Sequence, residues 1–221
     1  MSRLVLKMSM SVDGFVGGPK GEIADILAGF DQEATDWTVA TIAVASLHIM
    51  GRRTFNDMIA YWPTSTEPFA APMNDIPKAV FSRSGEIRSG IEERTRAIRD
   101  AAGIRDERGL ASVEPSPAVL DSWRNAAILT GDLGEEIARL KAKPGGDIIA
   151  HGGASFAQSL VATGLIDEYR LLIHPVALGA GLALFPAAGR PLHLQLVESL
   201  PFPAGAVAHV YRPAADAGAL S

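Results

Sequence analysis

The chain has 221 residues, of which 48% are hydrophobic and 20% charged, so it is globular rather than disordered. Its net charge of -5 argues against a general nucleic-acid binder, and the lack of cysteine excludes disulfides and thiolate metal sites. Because the N-terminus does not resemble a signal peptide and no apolar run has transmembrane length, we expect a cytoplasmic protein without a membrane partner.

The first predicted element is a buried strand from Leu4 to Met10. It ends at Asp13-Gly14, and a glycine-rich loop from Gly17 to Gly21 follows. Asp-Gly is typical of a hairpin turn, but no clear partner strand comes directly after it. We therefore expect this loop to cross the end of the sheet.

A helix is predicted from Glu33 to Ala45, with Asp31 as a suitable N-cap. Its apolar positions are Trp37, Ala40, Thr41 and Val44. Three carboxylates crowd the first turn, those of Asp31, Glu33 and Asp36. The helix dipole favours acidic side chains there without any chemistry, which is a sufficient explanation for the first two. Asp36, beside Trp37, is kept as a candidate functional residue.

The next feature is a strand, Leu47–Met50, that runs into Gly51-Arg52-Arg53-Thr54 and a short helix. Backbone N–H groups at the helix N-terminus, a hydroxyl and two guanidinium groups would meet at one point, which suits a phosphate. Trp62 follows this helix, and it either packs in the core or lines a pocket.

A similar junction lies later in the chain, where the strand Ile148–His151 breaks at Gly152-Gly153 before a helix from Ala154 to about Gly164. One such junction alone is explained by a tight strand-to-helix turn. Two junctions of the same kind favour a ligand with phosphates.

The strand Lys78–Phe81 precedes Ser82-Arg83, at the strand end where α/β sheets place ligand contacts. A polar turn explains this pair about equally well. Together with Arg52 and Arg53, Arg83 would suit a dinucleotide that carries an extra ribose phosphate. The usual G-x-G-x-x-G fingerprint does not occur.

The remaining elements complete an α/β domain over residues 1–212. Residues 86–121 are interpreted as a surface insertion with a helix near 92–102, and residues 213–221 as a frayed tail. The other predicted strands and helices are Ala126–Leu129, Leu133–Ala142, Leu165–His174, Leu192–Ser199 and Ala206–Arg212. The total is about eight strands and four helices, closing with an antiparallel hairpin. The five histidines lack metal-ligand spacing, so we expect core or edge histidines and no metal.

Four motifs in this order resemble the dihydrofolate-reductase-like family, and within it the C-terminal reductase domain of bacterial riboflavin biosynthesis. They are Ser11–Gly14, Met50–Phe55, Lys78–Arg83 and the stretch from Gly146 to Phe185. The resemblance implies a three-layer fold, with a mixed sheet of about eight strands and helices on both faces.

The resemblance also implies NADPH as cofactor. Its pyrophosphate side would be held by the two glycine junctions, namely Gly51, Arg52, Arg53, Thr54, Gly152, Gly153, Ala154 and Ser155. Ser82 and Arg83 would hold the ribose phosphate, and Val16 and Gly17 would lie by the nicotinamide. The reaction would be hydride transfer to a C=N or C=O carbon of a pteridine- or ribosylaminopyrimidine-like molecule.

Asp13 and Asp36 are the predicted catalytic residues, and Trp62 is the predicted substrate contact. Asp36 lies near the place where folate reductases bind the pterin through a carboxylate, although the surrounding sequence differs from the folate motif. Two alternatives stay open: a catalytically inactive nucleotide-binding or sensor protein, and a true dihydrofolate reductase. A homodimer is expected, because the run from Leu171 to Phe185 is more apolar than one edge loop needs.

Overall fold

An eight-stranded sheet is the middle layer of the computed structural model, which describes residues 1–87, 112–185 and 191–214. Its strands are β1 (Leu4–Ser11), β2 (Ala45–Gly51), β3 (Lys78–Phe81), β4 (Ala127–Leu129), β5 (Asp147–His151), β6 (Glu168–His174), β7 (Leu194–Pro201) and β8 (Val207–Pro213). Their order across the sheet is β4-β3-β2-β5-β1-β6-β8-β7.

The first six strands are parallel, and β8 and β7 continue the sheet as an antiparallel hairpin. The predicted mixed sheet is therefore confirmed. Because β3, β2, β5 and β1 are parallel neighbours, the loops that follow them leave from the same edge, where open α/β sheets bind ligands.

The described residues contain seven α-helices and a short 3₁₀ helix at Trp62–Thr64. The α-helices are α1 (Ala24–Leu27), α2 (Gln32–Ala43), α3 (Arg52–Ile59), α4 (Ala70–Asp75), α5 (Pro117–Arg124), α6 (Leu133–Ala142) and α7 (Ala154–Thr163). Three of them, α1, α4 and α5, were not predicted, because such short helices carry little periodicity. Helix α3 is as short as α5, but its start was marked by the strand and glycine before it. The helix predicted near 92–102 lies outside the described residues.

Helices cover both faces of the sheet, which confirms the three-layer fold. On the outer face, α6 and α7 pack Ile137 and Leu160 against Leu4 and Leu6 of β1. On the opposite face, here called the inner face, the apolar residues form two separate clusters. One contains Val5, Ile42, Met50, Phe55 and Trp123, and the other contains Ala34, Leu172, Phe202, Ala206 and Ala208.

Helix α2 spans the two inner-face clusters, since Ala34 near its start belongs to one and Ile42 near its end to the other. Asp31 caps α2 as predicted, with its carboxylate accepting a hydrogen bond from the Ala34 N–H at 2.8 Å. Its other oxygen accepts from the Ala204 N–H at 2.7 Å, which fixes the helix to the β7–β8 hairpin.

The strand surface proposed for a dimer contact lies inside the sheet. Strand β6 is between β1 and β8, and Leu171, Leu172 and Leu184 are buried within the chain. The premise of an exposed apolar strand at this point was therefore wrong. In that run Leu182 is exposed, but it follows the strand; exposed apolar side chains on a strand edge occur on β7, at Leu196, Val197 and Leu200.

Among the described residues, no helix combines the length and the hydropathy needed to cross a membrane. The predicted tail begins later than expected, because Pro213 is still part of β8 and the Ala214 N–H donates to the His193 carbonyl. Residues 215–221 lie outside the described part of the chain.

Candidate active site

Two helix N-termini meet at the carboxyl edge of the sheet. Gly51 is the N-cap of α3 and Gly153 is the N-cap of α7. The Gly153 N–H donates to Thr54 Oγ1 at 2.7 Å, which ties one junction directly to the other. The structure thus brings together the two glycine junctions that were predicted to hold one ligand.

Glycine is required here by close packing. A Cβ on Gly51 would lie 3.1 Å from the Phe156 Cβ, and one on Gly153 would lie 3.2 Å from Thr54 Oγ1. A Cβ on Gly152 would meet the Met8 side chain at 2.6 Å. The absence of side chains lets the two junctions approach each other and leaves their backbone accessible to a ligand.

Three arginines stand around this edge. Arg52 and Arg53 are exposed on the first turn of α3, and Arg83 is exposed after β3. Arg53 reaches the loop after β1, where its Nη2 would lie 3.9 Å from a Cβ on Gly21. Within the described ranges none of the three forms an ion pair, so their charges are available to an anion.

Ser82 differs from Arg83 in its surroundings. The Ser82 side chain is buried, and its hydroxyl donates to the Glu86 carbonyl at 3.1 Å and lies 3.4 Å from the Ser84 hydroxyl. Its local contacts therefore belong to the turn after β3. The guanidinium of Arg83 is the freer of the two predicted phosphate ligands.

The loop after β1 is held against the segment after β6. The Val16 N–H donates to the Leu182 carbonyl, and the Leu182 N–H donates to the Gly17 carbonyl, both at 2.8 Å. Val16 and Gly17 are both buried. This double contact fixes the backbone at the two positions predicted to lie by the nicotinamide.

Asp13 fixes the same two segments together. Its carboxylate accepts from the Ser11 hydroxyl at 2.6 Å and from the backbone N–H groups of Leu178 and Gly179 at 3.1 and 2.7 Å. The hydrogen bond from Ser11, with those from the backbone, lowers the pKa of Asp13. These contacts give Asp13 a structural task, and its catalytic role stays a prediction.

Asp36 does not point toward the sheet. It is exposed, and its carboxylate accepts a hydrogen bond from the Gln32 side chain on the same helix at 2.8 Å. The buried residues of α2 are Ala34, Thr38, Thr41 and Ile42. Since 100° separates successive helical residues, Asp36 lies on the side opposite Ala34 and Thr38. This orientation argues against the expected recognition of a buried ring by Asp36.

Trp62 belongs to a row of aromatic rings that reaches the inner face. It makes edge contacts with Tyr61 and Phe69, at centroid distances of 4.9 and 6.0 Å. Phe69 contacts Phe30 at 6.1 Å, and Phe30 contacts His174 at 5.0 Å. Trp62 therefore packs against the apolar core and also stands at one end of this aromatic row.

A polar row on the inner face was not predicted. Lys7, Ser9 and Ser11 alternate along β1 and share one face with Val5. The register places Lys7 beside His151 of β5, and Ser11 beside His174 of β6. Polar residues at every second position of an apolar strand were the signal that could have revealed this row.

His151 is linked to His48 of β2, and the link fixes the tautomer of both rings. His48 Nε2 lies 3.2 Å from the Pro72 carbonyl, which can only accept, so this nitrogen carries the proton. His48 Nδ1 then accepts from His151 Nε2 at 3.0 Å. As a result, His151 Nδ1 is left as an acceptor.

Burial keeps these histidines neutral. It lowers the pKa of His48 to about 4 and that of His151 well below its ordinary value. It also lowers the pKa of His174 to about 4, with a smaller contribution from the charge of Lys7. The pKa of Lys7 itself falls to about 8 because of burial, so Lys7 is still cationic at neutral pH.

Comparison with known proteins places the chain in a protein family. A sequence profile of the family described as the RibD C-terminal domain matches residues 2–208. The uncharacterized protein YyaP of Bacillus subtilis strain 168 is 29% identical over 210 residues, which are 95% of this chain and 94% of that protein.

Two solved structures show the same fold. A pyrimidine reductase-like protein from Corynebacterium diphtheriae superposes with a TM-score of 0.63 at 14% identity, over 97% of this chain and 93% of that one. A dihydrofolate reductase from Enterococcus faecalis in complex with NADP(H) superposes with a TM-score of 0.56 at 10% identity, over 96% and 97% of the two chains. The dihydrofolate-reductase-like fold expected from the motifs is confirmed.

Proposed function

The chain belongs to the family of the RibD C-terminal domain, and from this premise we propose that it is an NADPH-dependent reductase. It would transfer a hydride to a C=N or C=O carbon of a pteridine- or ribosylaminopyrimidine-like small molecule. The family is a reductase family, which supports an oxidoreductase. The choice of NADPH as cofactor and of this substrate class is argued from the residues of the candidate active site.

The contact between Gly153 and Thr54 is the observation that carries the cofactor proposal. It sets the N-termini of α3 and α7 side by side, and both present free N–H groups and a partial positive charge. Glycine at both N-caps allows this close approach, because a Cβ there would press on Phe156 or Thr54, and two adjacent helix N-termini suit a pyrophosphate. The residues present therefore fit the cofactor, which would supply the hydride.

The preference for NADPH over NADH is assigned to Arg83. The two cofactors differ by one phosphate on the adenosine ribose, and a guanidinium is well suited to bind it. Arg83 is exposed after β3, next to the α3 junction across the parallel pair of β2 and β3. Arg52 and Arg53 add positive charge on the neighbouring turn.

One alternative has specific support. Asp13 is engaged by three donors from the loops, and Asp36 is exposed and faces away from the sheet. With neither predicted catalytic carboxylate free to act on a buried ring, an inactive nucleotide-binding or sensor protein is the second candidate. The orientation of Asp36 also removes the main support for dihydrofolate as substrate.

Two measurements separate these candidates. Titration of the protein with NADPH, followed by quenching of tryptophan fluorescence, tests cofactor binding. Spectroscopic assay of NADPH oxidation with folates, pteridines and ribosylaminopyrimidines then tests turnover. Binding together with turnover supports the reductase, and binding with no turnover on any of these substrates supports the inactive alternative. Failure to bind either NADPH or NADH would refute both.

A further inference from the structure

Two segments at the carboxyl edge of the sheet pair with each other as a short antiparallel unit. Residues 12–17 follow β1 and residues 176–184 follow β6, and we call the two together the loop platform. Phe15 and Ala183 form an antiparallel bridge within it. Backbone hydrogen bonds of 2.8 to 3.1 Å join the two segments around this bridge, from the N–H of Val12 to the carbonyl of Val176, from Val16 to Leu182, from Leu182 to Gly17 and from Leu184 to Gly14.

Close packing makes the loop platform a single unit. A Cβ on Gly181 would overlap the Gly17 carbonyl oxygen, so the two segments approach as closely as glycine allows. Val16 and Leu184 are buried and belong to the apolar cluster on the outer face of the sheet. The loop platform is therefore anchored in the core, unlike a loop that only crosses the surface.

Asp13 closes one end of the loop platform. Its hydrogen bonds from the Ser11 hydroxyl and from the N–H groups of Leu178 and Gly179 use both carboxylate oxygens. The bond from Ser11 is the main cause that lowers the pKa of Asp13, so the side chain is a carboxylate at neutral pH. An ionised carboxylate can only accept hydrogen bonds, which suits it to hold two segments together and not to give a proton to a substrate.

Gln158 ties the loop platform to helix α7. Its Nε2 donates to the Ala183 carbonyl at 2.7 Å, and its side chain is partly buried. The hydrogen bonds around the bridge leave the Ala183 carbonyl facing away from Phe15, so it needs another donor. Gln158 supplies this donor from the helix whose N-cap is Gly153. The helix proposed to bind the pyrophosphate thus supports the loop platform directly.

We propose that the loop platform is a rigid seat for the nicotinamide end of the cofactor, with Gln158 and Asp13 as its positioning residues. The inference rests on the proposed NADPH site and deepens it, since Val16 and Gly17 are the residues expected beside the nicotinamide. Gln158 sets the distance between the pyrophosphate and the nicotinamide, because it joins α7 to the loop platform. Hydride transfer depends on this alignment, since a small displacement of the reacting carbon slows such a step greatly.

The first test compares NADPH with 2′-phospho-ADP-ribose, which keeps the phosphates and riboses but lacks the nicotinamide ring. Each ligand is titrated by calorimetry into the wild type, Gln158→Met and Asp13→Asn. Methionine keeps the length and helix propensity of Gln158 without its donor, and asparagine keeps the size of Asp13 but turns one acceptor into a donor. Both variants should bind NADPH about threefold to tenfold more weakly, as the loss of one hydrogen bond implies, and bind the fragment as the wild type does.

Control variants assign the loss to the nicotinamide end. Gln195→Met, at an exposed position on β7, should bind both ligands as the wild type does, and Arg83→Ala should weaken both ligands together. A general disturbance of the fold would also lower both affinities. Gly181→Ala gives an independent answer, because its Cβ would push the Gly17 carbonyl aside without removing a polar group. It should weaken NADPH binding and leave binding of the fragment unchanged.

Amide hydrogen exchange tests the loop platform itself. In the wild type without cofactor, the amides of Val16 and Leu184 should exchange slowly, and saturating NADPH should change their rates little. Asp13→Asn should speed the exchange of Leu178 and Gly179, whose N–H groups lose the carboxylate that accepts from them.

Four results would overturn the proposal: equal affinity of the wild type for NADPH and the fragment, no loss of NADPH affinity in Gln158→Met and Asp13→Asn, an equal loss for both ligands, or slow exchange in the loop platform only after NADPH is added. Failure of the proposed function gives a different pattern. Neither NADPH nor the fragment would then bind, which would refute the cofactor site and the seat together, while exchange at Leu178 and Gly179 would still show whether Asp13 holds the two segments.

Discussion

Buried neutral histidines should make the protein sensitive to mild acid. Burial lowers the pKa of His48 and of His174 from 6.5 to about 4, and the pKa of His151 shifts in the same direction. Between pH 6.5 and about pH 4, these histidines bind protons in the unfolded chain but not in the folded chain. The free energy of unfolding must therefore fall as the pH drops from about 6.5 toward 4.

The size of the effect follows from these shifts. From pH 7 to pH 5, one histidine with pKa 6.5 unfolded and about 4 folded lowers the free energy of unfolding by about 2 kcal/mol. His48 and His174 together lower it by roughly 4 kcal/mol, and His151 adds to the loss. This is a large part of the total stability of a typical domain, which is about 5–15 kcal/mol.

The window from pH 7 to pH 5 separates histidines from carboxylates. The pKa values of Asp13, Asp31 and Glu168 are lowered in the folded protein, so their contribution to stability is lost only as the pH falls below their unfolded values of 3.8 and 4.5. Lys7 and Lys78, with pKa values lowered to about 8, act in the alkaline range, where stability rises with pH as each loses its proton.

Urea unfolding at pH 7, 6 and 5, followed by tryptophan fluorescence, measures the effect. His174→Gln should reduce the loss of stability between pH 7 and pH 5 by about 2 kcal/mol. Any constant cost of the substitution cancels, because each variant is compared with itself at two pH values. His193→Gln, at an exposed position, is the matched control. If His174→Gln loses as much stability as the wild type over this range, His174 is not the buried neutral group described.

Three further outcomes are expected. Arg83→Ala should weaken NADPH binding about tenfold to a hundredfold and leave NADH binding nearly unchanged, because one charge-assisted contact contributes roughly 1.5–3 kcal/mol. Titrations of this variant and of the control Arg139→Ala with each cofactor measure the effect, and equal losses of affinity for both cofactors would contradict the prediction. Thr54→Val should weaken the binding of NADPH and of NADH by a similar factor, because it removes the hydrogen bond between the N-termini of α3 and α7. Unchanged affinities would show that cofactor binding does not need this hydrogen bond. Sedimentation at micromolar concentration should show a homodimer, because the edge strand β7 exposes Leu196, Val197 and Leu200, and a monomer there would refute that prediction.

The sequence predicted most of the sheet and both glycine junctions, because their signals are local. The strand Lys78–Phe81 and the helix Leu133–Ala142 have the predicted bounds, since each is a clear apolar or amphipathic run closed by turn residues. Thr54 and Gly153 are far apart in the sequence. They meet because β2 and β5 are parallel neighbours, so the helices that follow these strands begin side by side.

The rotation of α2 about its axis could not be predicted in the same way. The apolar positions Trp37, Ala40, Thr41 and Val44 suggested one buried face, whereas the buried residues are Ala34, Thr38, Thr41 and Ile42. Ala40 and Val44 are exposed, so the helix is turned relative to the expectation. Which face is buried depends on the hairpin and on β6, far away in the chain. The sequence alone therefore could not show that Asp36 lies on the exposed side of α2.

The polar row on β1 explains why the inner core is divided. An apolar residue in place of Lys7 would extend the apolar inner face along β1, and it would remove a charge whose burial lowers its own pKa to about 8. Packing alone would favour that arrangement, since a buried charge and unpaired polar atoms reduce stability. Proteins accept such costs mainly at functional sites. The acid sensitivity expected of His48, His151 and His174 follows from the same choice of buried polar groups over apolar packing on the inner face.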